Sequence, residues 1–261
     1  MHISRRRALA LGGAAVVGGA VTRAGQLVGD GLAADTPLPL YGGPESDVHA
    51  DRSPTSATVT KVAWGGTGTG RRVALTFDDG PDPDWTPRVL AALRRAAAPA
   101  TFFCVGRKVR DHGPIHADSL GVHELGNHTF EHPDLARFAL ERCQDEIGRT
   151  SDLMERTYGQ RPTLFRPPYG HLGGAALLAA AEAELTMVFW SAQAREDMAV
   201  ADPNGAVDDL ARQVRPGSII LAHDTGSPAR LRTIDHLDRL IDRLRADGYE
   251  LVTVSQLLAA V

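Results

Sequence analysis

From Arg71 onward the chain alternates short, mainly apolar runs with stretches of helical spacing, and this alternation narrows the available folds more than any other feature. The runs RVALTF (72–77), ATFFCV (100–105), VHELG (122–126), TLFR (163–166), TMVFW (186–190), SIILAH (218–223) and YELVTV (249–254) read as strands. Between the first two, TPRVLAALRRAA (86–97) sets Val89, Leu90 and Leu93 on one side of a helix. Leu140, Cys143, Ile147, Met154 and Tyr158 recur at three-, four- and seven-residue steps, the spacing of a long amphipathic helix. Apolar strands alternating with helices make a parallel α/β sheet. The expected fold over 71–261 is therefore α/β: a distorted or incomplete (β/α) barrel of about seven parallel strands, not two domains.

The polar residues of interest follow the strands. Asp78 and Asp79 follow the first, His128 the third, Arg166 the fourth and His223 the last but one. In parallel barrels the carboxyl ends of the strands and their loops build the active site. These groups, far apart in sequence, are thus expected to converge.

Their chemistry points to a metal. His128 and His132 stand four apart, a spacing that on a helix puts both imidazoles on one face. Two adjacent carboxylates repel unless a cation or a proton separates them. One of the two aspartates with the two histidines makes a His2Asp set that leaves a coordination position open, the pattern of a catalytic zinc. The other aspartate is then free to accept a proton. Zinc is the first expectation for this one divalent ion, with cobalt, nickel or manganese also suited to the ligands. The same stretch also reads H-x-x-E-H, a zinc-protease signature in which Glu131 is the base.

Four motifs in order, TFDDG (76–80), HTFEH (128–132), RPPYG (166–170) and LAH (221–223), resemble those of the polysaccharide deacetylase family, with its NodB homology domain (carbohydrate esterase family 4). The resemblance spans about Arg71 to Val261. It implies a hydrolase that releases acetate from N-acetyl or O-acetyl groups of a cell-wall or chitin-like glycan, an acetylated polysaccharide or oligosaccharide. It further implies Asp78 as general base and Asp79, His128 and His132 as metal ligands. Thr129 would brace the histidine segment, Arg166 orient Asp78, the Tyr169 backbone N–H face the developing oxyanion, and His223 act as general acid. Leu221, Trp190 and Pro168 would contact substrate, and Trp85 is another aromatic able to stack on sugars. One departure stands out: Gln193 occupies a place where the family commonly carries an aspartate beside the general acid, leaving Glu196 or Asp197 to supply that carboxylate. A silent carbohydrate-binding module on the same fold is the competing reading, and the intact set of acid, base and ligands argues against it.

The front of the chain is of another kind. Three arginines precede a Gly/Ala-rich apolar run, and Ser4-Arg5-Arg6 before Ala8-Leu9 resembles a twin-arginine export signal. Residues 1–33 are expected to be that signal, with cleavage after Ala24 or Ala33, and 34–70 a disordered Pro/Gly/Ser/Thr-rich spacer. The expected location is extracellular or on the cell-wall side of the membrane, with the membrane met only through the signal. A net charge of -4 without a basic run speaks against nucleic acid, and a monomer is expected. Cys104 and Cys143, the only cysteines, are expected as buried free thiols.

Overall fold

The seven expected strands all form, and the sheet they build is parallel throughout. The computed structural model describes residues 60–67, 70–193, 195, 199, 201–226 and 228–259; the export-signal segment, most of the spacer and the pair Glu196–Asp197 lie outside the described residues. The strands are β1 (Lys61–Ala63), β2 (Arg72–Asp78), β3 (Thr101–Cys104), β4 (Glu124–Asn127), β5 (Leu164–Phe165), β6 (Thr186–Val188), β7 (Ala192–Gln193), β8 (Ile219–His223) and β9 (Glu250–Val252). The helices are α1 (Thr86–Arg95), α2 (Gly106–His112), α3 (Leu140–Tyr158), α4 (Gly174–Glu182), α5 (Pro203–Gln213), α6 (Pro228–Asp235), α7 (Leu237–Ala246) and α8 (Val254–Leu258). The strand order is β1-β6-β5-β4-β3-β2-β8-β7, with β9 beside the start of β2. This is a curled half-barrel with helices, a distorted (β/α) barrel.

The two-residue period of the strands sorts their side chains onto two faces. Val73, Leu75, Phe77, Phe102 and Ile220 pack outward against Leu93 of α1 and Leu240, Ile241 and Leu244 of α7. Ala74, Phe103, Leu164, Val188 and Ile219 form a separate inner cluster with Val252, Val254 and Leu257. Counting forward in steps of two from these inner positions reaches Asp78, Arg166 and His223. The fold therefore delivers all three to the carboxyl mouth of the curl. Both cysteines are buried free thiols, as expected, with Cys104 in the outer core and Cys143 on the buried face of α3.

The sheet begins earlier than expected. Part of the segment read as spacer pairs with it: Lys61, Val62 and Ala63 run parallel to Thr186, Met187 and Val188. Trp64 then stacks on Phe189, ring centroids 5.0 Å apart and planes 11° from parallel. Gly66 donates to the Gly217 carbonyl at 2.9 Å. A three-residue strand with one half-buried valine has too little apolar periodicity to be seen in sequence, and it exists because β6 offers it an edge.

Starting the chain at Arg71 removes β1, exposes the β6 edge and uncovers Phe189. Stability should fall by about 2–4 kcal/mol, the loss of one buried apolar side chain and an aromatic pair. Urea unfolding of chains starting at Thr58 and at Arg71 checks this, and coincident midpoints would show that β1 adds nothing.

Candidate active site

Arg166 is fully buried inside the curl. Its Nη1 donates to Asp78 Oδ1 at 2.7 Å and to Thr76 Oγ1 at 2.8 Å, both on β2. Its Nε donates to the Val188 carbonyl at 3.1 Å and its Nη2 to the Phe189 carbonyl at 3.0 Å, both at the end of β6. The guanidinium lies over Phe103, 4.1 Å from the ring centroid, and 5.7 Å from Trp190. Two oxygens and two carbonyls thus receive its N–H groups, so the buried charge is both paired and hydrogen-bonded. The Arg166 carbonyl accepts from His128 Nδ1 at 2.7 Å. A carbonyl can only accept, so Nδ1 carries a proton and neutral His128 turns the lone pair of Nε2 into the mouth.

Asp79, His128 and His132 are the one group of metal-competent side chains among the described residues, their donor atoms within 4.8 Å of one another. Asp79 Oδ1 lies 3.5 Å from His128 Nε2 and 3.0 Å from His132 Nε2. Two imidazole nitrogens and a carboxylate oxygen gathered this closely fit a divalent cation of the zinc type. Burial acts to raise the Asp79 carboxyl, but the hydrogen bonds and charge of the two histidines hold it well below the usual carboxylate range. Burial likewise acts to lower the His128 imidazole, and the Asp78 and Asp79 carboxylates outweigh it and hold the ring above its ordinary value. A cation entering this cluster competes with protons, so its affinity falls as pH falls.

The histidine pair sits on a loop and not on a helix, so backbone turns and not helical spacing bring the rings together. Both residues lie on the loop after β4, and Thr129 and His132 have φ of 67° and 64°. The His132 amide donates to Thr129 Oγ1 at 3.1 Å, so Thr129 does brace the loop. Asp79 (φ 76°) and Tyr169 (φ 62°) are also left-handed, which puts four of the six non-glycine positive-φ residues among the described residues in this site. Each costs on the order of 1–2 kcal/mol, a strain concentrated where function sets the geometry.

His223 stands opposite Asp78 in the β2–β8 register, half-buried at the strand ends. Tyr169 is exposed, and its amide has no acceptor among the described residues, whereas Gly170 and His171 donate to the Pro167 and Pro168 carbonyls. Leu221 lies in the middle of β8, and Pro168 and Trp190 lie just past the carboxyl ends of β5 and β6. Trp85 instead packs against the core at the start of α1. Gln193 Oε1 accepts from Trp190 Nε1 at 3.0 Å, so this carboxamide is engaged by the tryptophan. Glu131 faces away from the cluster toward Arg107, 3.9 Å away, with its side chain 48% exposed, which removes it from the role of protease base.

Other contributors were not anticipated. Glu146 on α3 accepts from the Phe130 and Glu131 amides at 2.9 and 2.8 Å and so shapes the histidine loop from below. A carboxylate inside the apolar stripe of Cys143, Ile147 and Met154 was the available signal. Arg230 Nη1 donates to Asp79 Oδ2 at 2.9 Å, so the two Asp79 oxygens are divided between arginine and histidines. Nothing in the local pattern around Arg230 marks it. Asp224 is buried, accepts from Thr86 Oγ1 at 2.5 Å, and burial pushes its carboxyl up to about 7. A Cβ at Gly80 would come within 2.2 Å of Asp224 Oδ2, so the turn after the two aspartates needs glycine.

A parallel half-barrel with this polar cluster at its carboxyl mouth defines an α/β hydrolytic enzyme. The family model for polysaccharide deacetylases matches residues 65–188. A peptidoglycan-N-acetylglucosamine deacetylase of Bacillus cereus is 36% identical over 199 residues, covering 76% of this chain and 92% of that protein. A chitooligosaccharide deacetylase of Bradyrhizobium is 35% identical over 199 residues, covering 72% and 90%. The crystal structure of the Bc1960 peptidoglycan N-acetylglucosamine deacetylase superposes with a TM-score of 0.71 at 31% identity, over 77% of this chain and 94% of that one. The chain belongs to the polysaccharide deacetylase family, hydrolases of carbon–nitrogen bonds other than peptide bonds.

The buried pair carries a direct consequence. Arg166→Met leaves Asp78 charged and unpaired, which should cost about 3–5 kcal/mol. Adding Asp78→Asn should recover part of that loss because the stranded charge is gone. Urea unfolding of the single and double variants measures both, and a double variant no more stable than Arg166→Met would break the argument.

Proposed function

We propose that this chain is a metal-dependent deacetylase that hydrolyses N-acetyl groups of a cell-wall or chitin-like glycan and releases acetate. The observation that carries the reading is the separation of the two adjacent aspartates. Asp79 turns to the histidine pair, while Asp78 is held by Arg166 with its Oδ2 3.8 Å from His128 Nε2. This separation supports one carboxylate as a ligand and its neighbour as a base.

Asp79, His128 and His132 would hold the divalent cation, with zinc the first expectation. When bound, that cation would supply Lewis acidity toward the acetyl carbonyl and the attacking water. Asp78, fixed by Arg166, takes the proton of the attacking water. The Tyr169 N–H donates to the oxygen on which negative charge develops. His223, on the neighbouring strand end, gives a proton to the departing amine nitrogen, since an amide anion is too poor a leaving group. Water adds one oxygen to the acyl carbon, the C–N bond breaks, and acetate and a free amine remain.

The twin-arginine pattern at residues 4–9 supports export, with catalysis outside the cytoplasmic membrane by a monomer on acetylated glycan. Relatives named for peptidoglycan and for chitooligosaccharide support an amino-sugar substrate for this chain.

His128→Ala should lose bound metal and acetate release together. Asp78→Asn should retain metal and still lose acetate release by roughly two to four orders of magnitude. Elemental analysis of each purified variant, alongside acetate release from N-acetylated glucosamine oligomers, tests the reading; Asp78→Asn protein without metal would reverse the two aspartates.

A further inference from the structure

We propose that Arg230 is a positioning residue of the metal site, holding one oxygen of Asp79 so that this carboxylate offers a cation only the other. This rests on the deacetylase reading and deepens it. The two Asp79 oxygens face different partners. Oδ1 lies 3.0 Å from His132 Nε2 and 3.5 Å from His128 Nε2. Oδ2 accepts from Arg230 Nη1 at 2.9 Å. A carboxylate can ligate a cation through one oxygen or through both. With Oδ2 engaged by the guanidinium, Asp79 has one to give, and a coordination position is kept for water or for the acetyl oxygen.

The seat of Arg230 is built from the loop that leaves β8 just after His223. Nη1 also donates to the Thr225 carbonyl at 3.0 Å, which uses its second proton. Thr225 is itself fixed, since its Oγ1 donates to Asp82 Oδ2 at 3.0 Å and accepts from Lys108 Nζ at 3.1 Å. The arginine side chain then passes over Gly226. A Cβ there would meet Arg230 Cδ and Nη1 at 2.7 Å, and the φ of 121° at Gly226 suits glycine as well. A carboxylate, a carbonyl and a missing side chain thus fix the guanidinium, whose side chain is 24% exposed. This is not the loose pairing of two solvated side chains.

Two effects of Arg230 on cation binding have the same sign. Its positive charge repels a second cation gathered by the same carboxylate, and its hydrogen bond withholds Oδ2. Both weaken binding, and both leave the charge of a bound ion less neutralised, which favours Lewis acidity toward an acetyl carbonyl. An arginine that merely kept Asp79 in place would act the other way, because losing an outer partner of a ligand ordinarily weakens metal binding. The sign of the change in affinity therefore separates the two roles.

The test strips the full chain, Arg230→Met and Arg230→Lys of metal and titrates each with cobalt(II) against a competing chelator. Arg230→Met should bind cobalt about tenfold or more tightly than the unaltered chain, and Arg230→Lys, which keeps the charge, within about threefold of it. At saturating cobalt, kcat for acetate release from N-acetylated glucosamine oligomers should fall about tenfold in Arg230→Met and largely recover in Arg230→Lys. Should the methionine variant not fold, Arg230→Gln removes the same charge and gives the same comparison. Weaker or unchanged cobalt binding by the neutral variant would overturn the proposal. An unaltered chain that binds cobalt but releases no acetate would refute the function proposed above, and the cobalt affinities would still decide the role of Arg230. An unaltered chain that binds no cobalt would overturn both.

Discussion

A guanidinium with no access to water holds the mouth of this sheet together. The Arg166 side chain ties Asp78 and Thr76 on β2 to the Val188 and Phe189 carbonyls at the end of β6, while its own carbonyl fixes the His128 ring. One residue therefore positions the proposed base through its side chain and a proposed ligand through its main chain. Burying such a charge is costly unless geometry and partners are nearly complete, and here the planar fork of donors meets oxygens on two strands and lies over Phe103. The curl of the sheet is what brings those oxygens to one point.

From that anchor follows the different use of two adjacent carboxylates. Asp78 ends β2 at an inner-face position and meets Arg166. Asp79 turns into the left-handed region and leaves the strand, so its carboxylate points to the histidines and to Arg230. The sharp change of direction between neighbours explains why a repulsive Asp-Asp pair is tolerated: each has its own cationic or proton-bearing partner. It also explains the following glycine, whose missing side chain lets Asp224 approach.

Much of this was readable in the sequence, for a physical reason. Strand side chains alternate with a period of two, so the apolar runs that announce β2, β5 and β8 also state which way Asp78, Arg166 and His223 point. Loops carry no such period. His128 and His132 converge as expected, and backbone turns at Thr129 and His132 do what a four-residue spacing would do on a helix. The β1 strand was missed because its pairing is with a distant edge and not with a local pattern. Arg230 was missed because a surface-type arginine on α6 acquires meaning only once α6 is folded beside β2. Glu146 was the avoidable omission, a charge set among buried apolar neighbours on α3.

The central claim is that Arg166 keeps Asp78 out of the metal's coordination sphere and so leaves it free to act as a base. A crystal structure of the zinc-loaded protein with anomalous scattering measured at the zinc edge tests this most directly. The ion should be ligated by His128 Nε2, His132 Nε2 and an oxygen of Asp79, with Asp78 still bonded to Arg166. An ion ligated by Asp78, or an Asp78 carboxylate released from Arg166, would contradict the account.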